Sequence, residues 1–325
     1  MTRVALIDNA ESVLRELASR RVLVTMWRPV VDVQLRMEAL PGPGEKVLAQ
    51  SVQITPGGVD GNFAASMGSI GANVTAVGSA SNDEAAKVDF DNLHSHGVST
   101  WFDESSAGPA TVCYVLVDAN GERSVITSYP DDGPHATEGV ARAVRRASTE
   151  GWDLCYLGVL RAPHQEFISL LPQESTVAAT VEDSDWQGIW IEQAAPFLGI
   201  VFCADETFTV HEQTLLELQE RHRWILVVTS GSRGSRMIDT DGAAVDVPVC
   251  ELEGPVVDTT GAGDAFASAF SAAYLLGLRG SALLRAANWY AAQKIQVSGP
   301  RNFPPPLEFA QLIADERIKA RNHEK

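Results

Sequence analysis

A short run of small residues that ends in an aspartate is the part of this sequence best suited to chemistry. It reads Asp258-Thr259-Thr260-Gly261-Ala262-Gly263-Asp264, and a helical pattern of apolar residues follows from Ala265 to Leu276. A loop of this kind at the start of a helix presents unpaired N–H groups at the positive end of the helix dipole. Glycine also lets an anion approach the backbone closely. The run therefore predicts a cradle for a phosphoryl group at Gly261, Ala262 and Gly263.

Asp264 admits two interpretations. An aspartate at the start of a helix often caps free N–H groups. A carboxylate beside a phosphate cradle is electrostatically unfavourable unless it accepts a proton, so Asp264 is also a candidate general base for a hydroxyl that attacks phosphorus. The context favours the general base. The loop lacks the Gly-Lys-Ser/Thr of a Walker A motif, so a P-loop architecture is not supported.

The elements that must position this loop alternate along the chain. Continuous runs of Val, Ile and Leu are typical of strands buried on both faces of a parallel sheet. Several of the strand candidates are such runs; the candidates lie at Val22–Val24, Val74–Val77, Val112–Val117, Leu154–Leu157, Thr176–Val181, Leu198–Phe202 and Ile225–Thr229. Because helical patterns separate them, an α/β fold with a doubly wound, mostly parallel sheet flanked by helices is predicted. No repeat or long linker interrupts the rhythm, so residues 1–325 are expected to form a single domain.

Two stretches depart from this rhythm. Residues 31–54 and 110–127 read as alternating or extended segments joined by turns. Antiparallel strands inserted into a parallel sheet usually form a small side sheet, so a small antiparallel β lid is expected. Such a sheet could close over a site or pair with a second subunit as a homodimer.

Composition excludes several classes of protein. The net charge is −17, with 42 acidic and 25 basic residues, and no cluster of Lys and Arg offsets it, so nucleic-acid binding is not expected. No apolar run approaches the ~20 residues of a membrane span and no secretory signal opens the chain, so no membrane association is expected. The four cysteines fit neither a zinc cluster nor a disulfide framework, and a cytoplasmic location is expected.

Three segments carry a family resemblance. The first is the 258–264 run with Ala265 and Phe266. The others read Pro56-Gly57-Gly58-Val59-Asp60-Gly61-Asn62-Phe63-Ala64 and Thr229-Ser230-Gly231-Ser232-Arg233-Gly234. They resemble, respectively, the C-terminal signature, the N-terminal glycine-rich signature and the nucleotide-contacting turn of the PfkB/ribokinase family of carbohydrate and nucleoside kinases. The resemblance implies the ribokinase-like form of the doubly wound sheet.

The resemblance also implies an activity, an ATP-dependent transfer of the γ-phosphoryl group to the hydroxymethyl oxygen of a sugar or sugar-like substrate. It matches Asp264 to the catalytic base and Gly261, Ala262 and Gly263 to the anion hole. The positions that it matches to ATP contacts are Thr229, Gly231, Ser232, Gly234, Thr259 and Asn288. Mg²⁺ is expected on the phosphates, held mostly through water, and no protein metal ligand is assigned.

For the phosphate acceptor, the resemblance matches Asp32, Gly58 and Asn62. A carboxylate and an amide can fix a polyol through paired hydrogen bonds. Taken without the resemblance, Asp32 is also consistent with a strand-end aspartate and Asn62 with a helix cap.

The match is incomplete at several positions. Val59 stands where ribokinases carry lysine, and Asp60 and Gly61 also differ, so ribose is not favoured as the acceptor. Ala204-Asp205-Glu206-Thr207 replaces the family's Asn-x-x-Glu motif, which is linked to magnesium and phosphate. Metal dependence or phosphate activation could therefore differ.

Several functions remain open at this stage. The first is a sugar kinase acting on a ketose, a sugar acid or a related polyol. A nucleoside kinase would need an aromatic side chain over the base, for which Trp27, Trp101 and Phe102 are candidates. A non-catalytic member that binds nucleotide or sugar is a third. A dinucleotide oxidoreductase is disfavoured because Thr25-Met26-Trp27 stands where its glycine-rich turn should follow the first strand.

Overall fold

The computed structural model describes residues 3–79, 83–103, 109–119, 123–128, 134–160, 165–182, 189–252 and 254–323. Strands lie at β1 (Arg21–Met26), β2 (Val30–Arg36), β3 (Ser51–Pro56), β4 (Asn73–Ser79), β5 (Ser99–Asp103), β6 (Thr111–Val117), β7 (Arg123–Ser128), β8 (Leu154–Val159), β9 (Thr176–Val181), β10 (Ile200–Ala204), β11 (Ile225–Thr229), β12 (Ser235–Ile238) and β13 (Ala244–Val247). Helices lie at α1 (Arg3–Ala18), α2 (Val59–Ile70), α3 (Glu84–Ser95), α4 (Pro134–Ala147), α5 (Gln165–Ile168), α6 (Ile189–Ala194), α7 (Asp205–His222), α8 (Ala262–Leu275), α9 (Ser281–Lys294) and α10 (Pro306–His323).

The larger sheet has the strand order β13-β12-β11-β10-β9-β8-β1-β4-β5. Strands from β11 to β5 pair in parallel, and β12 and β13 extend the β11 edge in antiparallel fashion. The doubly wound, mostly parallel sheet predicted from the sequence is confirmed. Since β1 lies between β8 and β4, the strand order changes direction there, and the carboxyl ends of these strands are where such folds bind ligands.

Helices cover both faces of this sheet. Side chains of β1 alternate between the faces: Val22, Val24 and Met26 pack with apolar residues of α1, α2, α8, α9 and α10, whereas Leu23 packs with those of α4, α5, α6 and α7. The period of two along the strand thus places two separate cores on the two faces. Within the described ranges, every helix is too short or too polar to cross a lipid bilayer.

A smaller sheet, which we call the lid sheet, has the order β3-β2-β6-β7. Its outer pairs, β2 with β3 and β6 with β7, are antiparallel, as predicted. Its central pair, β2 with β6, is parallel, with Val31 opposite Val112. The pair is parallel because β2 and β6 begin after different strands of the larger sheet, β1 and β5, and run in the same direction. Residues 120–122, within the predicted lid, lie outside the described residues.

Candidate active site

The predicted phosphate loop lies at the start of α8. Gly261 is the N-cap of this helix and has a φ of 76°, a conformation that favours glycine. A Cβ at Gly261 would lie 2.7 Å from the carbonyl oxygen of Pro300, so the neighbouring segment also leaves no room for a side chain. At Gly263, by contrast, a Cβ would meet no atom within 4 Å. The backbone conformation and the Pro300 contact therefore require glycine at residue 261, whereas no contact with the described residues requires it at residue 263.

The backbone N–H groups of the loop are mostly available. In the part of the chain that the structure describes, those of Gly261 and Gly263 have no protein acceptor, whereas the Ala262 N–H donates to the Thr259 carbonyl at 3.2 Å. Two of the three predicted anion-hole residues thus present amides at the positive end of α8.

Asp258 anchors the phosphate loop through hydrogen bonds. Its carboxylate accepts hydrogen bonds from the backbone N–H groups of Thr260 and Gly299, both at 2.9 Å. Burial alone would raise the pKa of Asp258, but these hydrogen bonds and the nearby charge of Lys294 outweigh it and lower the pKa to about 2. The first residue of the signature therefore ties the phosphate loop to the segment that follows α9.

Asp264 lies in the first turn of α8, and within the described residues its side chain makes no hydrogen bond to a backbone N–H of the helix. The Asn62 amide donates to its Oδ2 at 2.8 Å instead, so the capping interpretation does not describe this residue. Burial raises the pKa of Asp264 to about 7. The Asn62 hydrogen bond opposes this shift, the charges of Glu182 and Asp60 add to it, and Arg301 opposes it.

A cavity of about 350 Å³ lies on one side of Asp264. It brings together every position predicted to contact ATP, namely Thr229, Gly231, Ser232, Gly234, Thr259 and Asn288, and it also includes Ala262 and Gly263. Its remaining walls are apolar and were missed in the sequence: Val249, Leu252, Val256, Phe266, Ala291, Ala292 and Ile295. Residues 249–252 and 254–256 form no helix or strand and carry no periodic signal, whereas Ala291 and Ala292 are neighbours of Asn288 on α9.

Asn288 is engaged by the protein itself. Its amide donates to the carbonyl oxygens of Val247 and Pro248 at 3.2 and 3.1 Å, and it accepts from the Ser235 hydroxyl at 3.0 Å. Its polar atoms therefore stabilise the wall of the cavity, and its contact with ATP stays a prediction.

A second cavity, of about 200 Å³, lies where the lid sheet meets the larger sheet. It is lined by Met26, Trp27, Arg28, Val30, Gly58, Val59, Asp60, Gly61, Thr111, Cys113, Thr127, Val159 and Glu182. Gly58 is the predicted acceptor residue that lines it. Glu182, directly after β9, and Thr111, Cys113 and Thr127 on the lid sheet were missed, because only the tertiary fold brings these distant segments together.

The other two predicted acceptor residues lie beside this cavity. The Asp32 carboxylate, on β2, would be 2.6 Å from a Cβ at Gly57, and burial raises its pKa, although Arg301 and a hydrogen bond from Cys113 oppose the shift. Asn62 is buried, with its amide nitrogen on Asp264 and its oxygen accepting from Arg301. The structure thus places Asn62 against the candidate base, and its direct contact with an acceptor stays a prediction.

Across the described ranges, no three His, Cys, Asp or Glu side chains converge in a way that could hold a metal ion. Asp205, in the segment that replaces the Asn-x-x-Glu motif, forms an ion pair with Arg233 of the turn after β11. A metal ion at this site would therefore depend on the ligands that a nucleotide brings with it.

Comparison with known proteins gives a consistent assignment. The model of the pfkB family of carbohydrate kinases matches residues 22–307. The chain is 26% identical to the ATP-dependent ribose-1-phosphate kinase of Halopiger xanaduensis, covering 87% of this chain and 95% of that protein. It is 24% identical to the ribokinase of Bacillus subtilis, covering 87% and 96%. The crystal structure of the adenosine kinase of Sinorhizobium meliloti shares the fold, with a TM-score of 0.72, 22% identity, and coverage of 93% and 100%.

Proposed function

The chain belongs to the pfkB family of carbohydrate kinases, and from this premise we propose that it transfers the γ-phosphoryl group of ATP to a hydroxymethyl oxygen of a sugar or sugar-like substrate, with Asp264 as the general base. The family and the kinase class predicted from the sequence are confirmed by the family match and by kinase relatives along most of the chain. The residue roles that follow are part of the proposal.

One observation carries the proposal: Asp264 adjoins residues that belong to, or directly follow, the linings of both cavities. It directly follows Gly263, which lines the larger cavity, and it is hydrogen-bonded to Asn62, which directly follows Gly61 of the smaller cavity. A base in this position can reach a hydroxyl in the smaller cavity while the phosphate to be transferred lies at the start of α8. The arrangement supports an in-line transfer between two separately bound substrates.

In the proposed reaction, the Asp264 carboxylate accepts the proton of the attacking hydroxyl. Its pKa of about 7 suits a base that works near neutral pH. The free N–H groups of Gly261 and Gly263 would stabilise the negative charge on the transferring phosphoryl group. Mg²⁺, held by the nucleotide phosphates and by water, would neutralise further phosphate charge.

ATP would place its adenine in the apolar part of the larger cavity. Val249, Val256 and Ala291 line this part, while Thr229, Gly231 and Ser232 of the nucleotide-contacting turn line another part. The acceptor would bind in the smaller cavity, with Gly58 in its wall and Asp32 on the lid strand beside it. We propose that Asp32 reaches the acceptor when the lid sheet closes.

A nucleoside acceptor is the second candidate, and Trp27 favours it. Of the three aromatic residues considered, Trp27 lines the smaller cavity, and it stacks on Phe167 with ring centroids 6.1 Å apart. Trp101 packs against Trp152, and Phe102 against Phe90; neither lines this cavity. An indole already fixed by stacking could support a nucleobase.

ADP release from ATP and Mg²⁺, measured across a panel of free sugars, sugar phosphates, sugar acids and nucleosides, tests both candidates. We expect turnover with a sugar or polyol that exceeds the rate without acceptor. Trp27→Leu should spare a sugar acceptor but weaken a nucleoside acceptor. If no member of the panel raises ADP release above the acceptor-free rate, the proposed phosphotransfer is wrong for these substrate classes.

A further inference from the structure

Arg301 is a buried cation directly behind the candidate base. Its side chain is 2% exposed, and it follows the Gly299-Pro300 segment that contacts the phosphate loop. Its Nε donates to Asn62 Oδ1 at 3.0 Å, and one terminal nitrogen donates to the Gly57 carbonyl at 2.7 Å. Its other terminal nitrogen lies 2.7 Å from the Asp89 carboxylate and donates to Asn92 at 3.1 Å. The guanidinium thus connects α2, α3 and the loop that follows lid strand β3.

The glycine-rich segment leaves room for this side chain. A Cβ at Gly61 would lie 2.2 Å from a terminal nitrogen of Arg301, which is too close for any side chain unless the guanidinium moves. Gly61 is one of the positions at which the sequence departs from the ribokinase pattern. Glycine at residue 61 is therefore what allows the Arg301 guanidinium to occupy its position.

Chemistry fixes the orientation of the amide between Arg301 and Asp264. A guanidinium has only hydrogen-bond donors, so the atom of Asn62 that faces it must be the oxygen. The Asn62 nitrogen then points to Asp264 and donates to it at 2.8 Å. A donor to a carboxyl oxygen stabilises the ionised form. Without the guanidinium, the amide could turn and present its oxygen to Asp264, which would stabilise the protonated form.

The orientation of the Asn62 amide is important because other charged groups also act on the Asp264 carboxyl group. Asp60 of α2 and Glu182 after β9 are acidic, and Tyr156 of β8 also faces the carboxyl group. Arg301 is the cation that acts on Asp264, and it also faces Asp32, Asp89 and His96. Two carboxylates and burial thus favour protonation of the base, and the Arg301–Asn62 pair opposes them.

We propose that Arg301 is a positioning residue for phosphotransfer: it orients the Asn62 amide so that Asp264 is held as an aligned, ionised base. This inference rests on the proposed function of Asp264. It gives Asn62 the role of aligning the base. It also gives a role in the reaction to Arg301, which lies outside the three signature segments.

The test compares Arg301→Gln with the wild-type enzyme and with Arg285→Gln. Arg285 is the matched control because it pairs with buried Glu316 away from both cavities. We expect Arg301→Gln to lower kcat by up to about 100-fold, to leave the KM for ATP within about twofold, and to move the acidic limb of the kcat/KM profile to higher pH. Arg285→Gln should leave the profile unchanged. An Arg301→Gln enzyme with wild-type kcat and pH profile would refute the proposal.

Two further measurements separate this proposal from the function on which it rests. First, the free energy of unfolding is measured against pH for the wild type and for Arg301→Gln, each with and without the additional change Asp264→Asn. In each case the difference made by Asp264→Asn reports the titration of Asp264 without any turnover. This difference should shift to higher pH when Arg301 is replaced, whether or not the acceptor has been found, and an unshifted difference would contradict the role of Arg301. Wild-type turnover in Asp264→Asn would instead contradict the proposed function.

The second measurement covers the case in which Arg301→Gln does not fold, since loss of one partner of a buried ion pair is strongly destabilising. Gly61→Ala keeps every charge but displaces the guanidinium through the 2.2 Å contact. It should reproduce the loss of kcat and the shift of the pH profile. Gly151→Ala is its control, because a Cβ at Gly151 meets no atom within 4 Å and the backbone there does not have a positive φ. Normal kcat and an unshifted profile in Gly61→Ala would count against the proposal.

Discussion

At the scale of the residue, the proposed chemistry depends on how Asp264 stays partly ionised although other carboxylates lie nearby. Burial and the charges of Asp60 and Glu182 raise the pKa of Asp264, while the Asn62 amide and the Arg301 charge lower it. The balance, at about 7, leaves a substantial ionised fraction at neutral pH together with enough basicity to accept a proton. Each of these neighbours is therefore a means of tuning the base.

Replacement of the base itself gives the most direct prediction. Asp264→Asn keeps the size of the side chain and removes its basicity, so we expect kcat to fall by roughly 10²–10⁴-fold. ATP affinity, measured by calorimetry, should change little because the predicted ATP contacts lie in the larger cavity. Asp246→Asn, at an exposed carboxylate that pairs with Arg236, is the control and should retain full activity. Wild-type turnover in Asp264→Asn would remove this residue from its role.

The neighbouring carboxylate gives a prediction on pH. Because Asp264 must be ionised to act, kcat/KM should fall as the pH drops below about 7. Asp60 raises the pKa of Asp264, so Asp60→Asn should lower that pKa and move the acidic limb of the kcat/KM profile to lower pH. This is opposite in sign to the shift expected for Arg301→Gln. A profile that moves to higher pH in Asp60→Asn would contradict the assignment of the limb to Asp264.

At the scale of the element, the start of α8 shows why local sequence predicted so much of the site. The phosphate loop, the glycine-rich segment before α2 and the turn after β11 are each continuous in sequence, and each needs glycine or small residues for a local backbone reason. The 239-residue separation of Arg301 from Asn62 has no such signature. Val249, Leu252, Val256 and Glu182 are equally undetectable, because long-range packing alone brings them to the cavities.

Two glycines of the phosphate loop should respond differently to alanine. Gly261→Ala meets a positive φ and the Pro300 carbonyl, so we expect a loss of about 1–3 kcal/mol in the free energy of unfolding. Gly263→Ala has open space, so its stability should change by less than about 0.5 kcal/mol. Its methyl group would nevertheless stand where the phosphate approaches, and kcat/KM should fall by roughly 100-fold.

Denaturant unfolding and steady-state kinetics of the two variants test this separation. A stable Gly263→Ala enzyme with full activity would show that no phosphate passes close to that residue. A Gly261→Ala enzyme as stable as the wild type would show that the Pro300 contact is not a constraint.

At the scale of the whole molecule, the two sheets differ in what covers them. Both faces of the larger sheet are covered by helices, whose alternation with strands the sequence displays directly. The lid sheet is covered much less. Val52 and Ile54 on β3 and Val125 and Ile126 on β7 are each close to 60% exposed, and Tyr114 on β6 is 42% exposed. Its position was predictable from extended, turn-rich sequence, but its parallel central pair was not, because strand direction there depends on how the chain leaves the larger sheet.

An apolar, uncovered sheet predicts association of two chains through their lids, because exposed apolar patches of this kind mark interaction surfaces. We expect sedimentation equilibrium of the wild type to give twice the chain mass of 34.9 kDa. Ile54→Asp should reduce this to the mass of one chain, since a charge buried at the interface without a partner is strongly unfavourable. Val210→Asp is the matched control, because Val210 is 64% exposed on α7, away from the lid sheet.

If pairing also holds the lid over the acceptor cavity, Ile54→Asp should raise the KM for the acceptor more than that for ATP. A wild-type protein that sediments as one chain would contradict pairing, and a dimer that persists in Ile54→Asp would place the interface elsewhere.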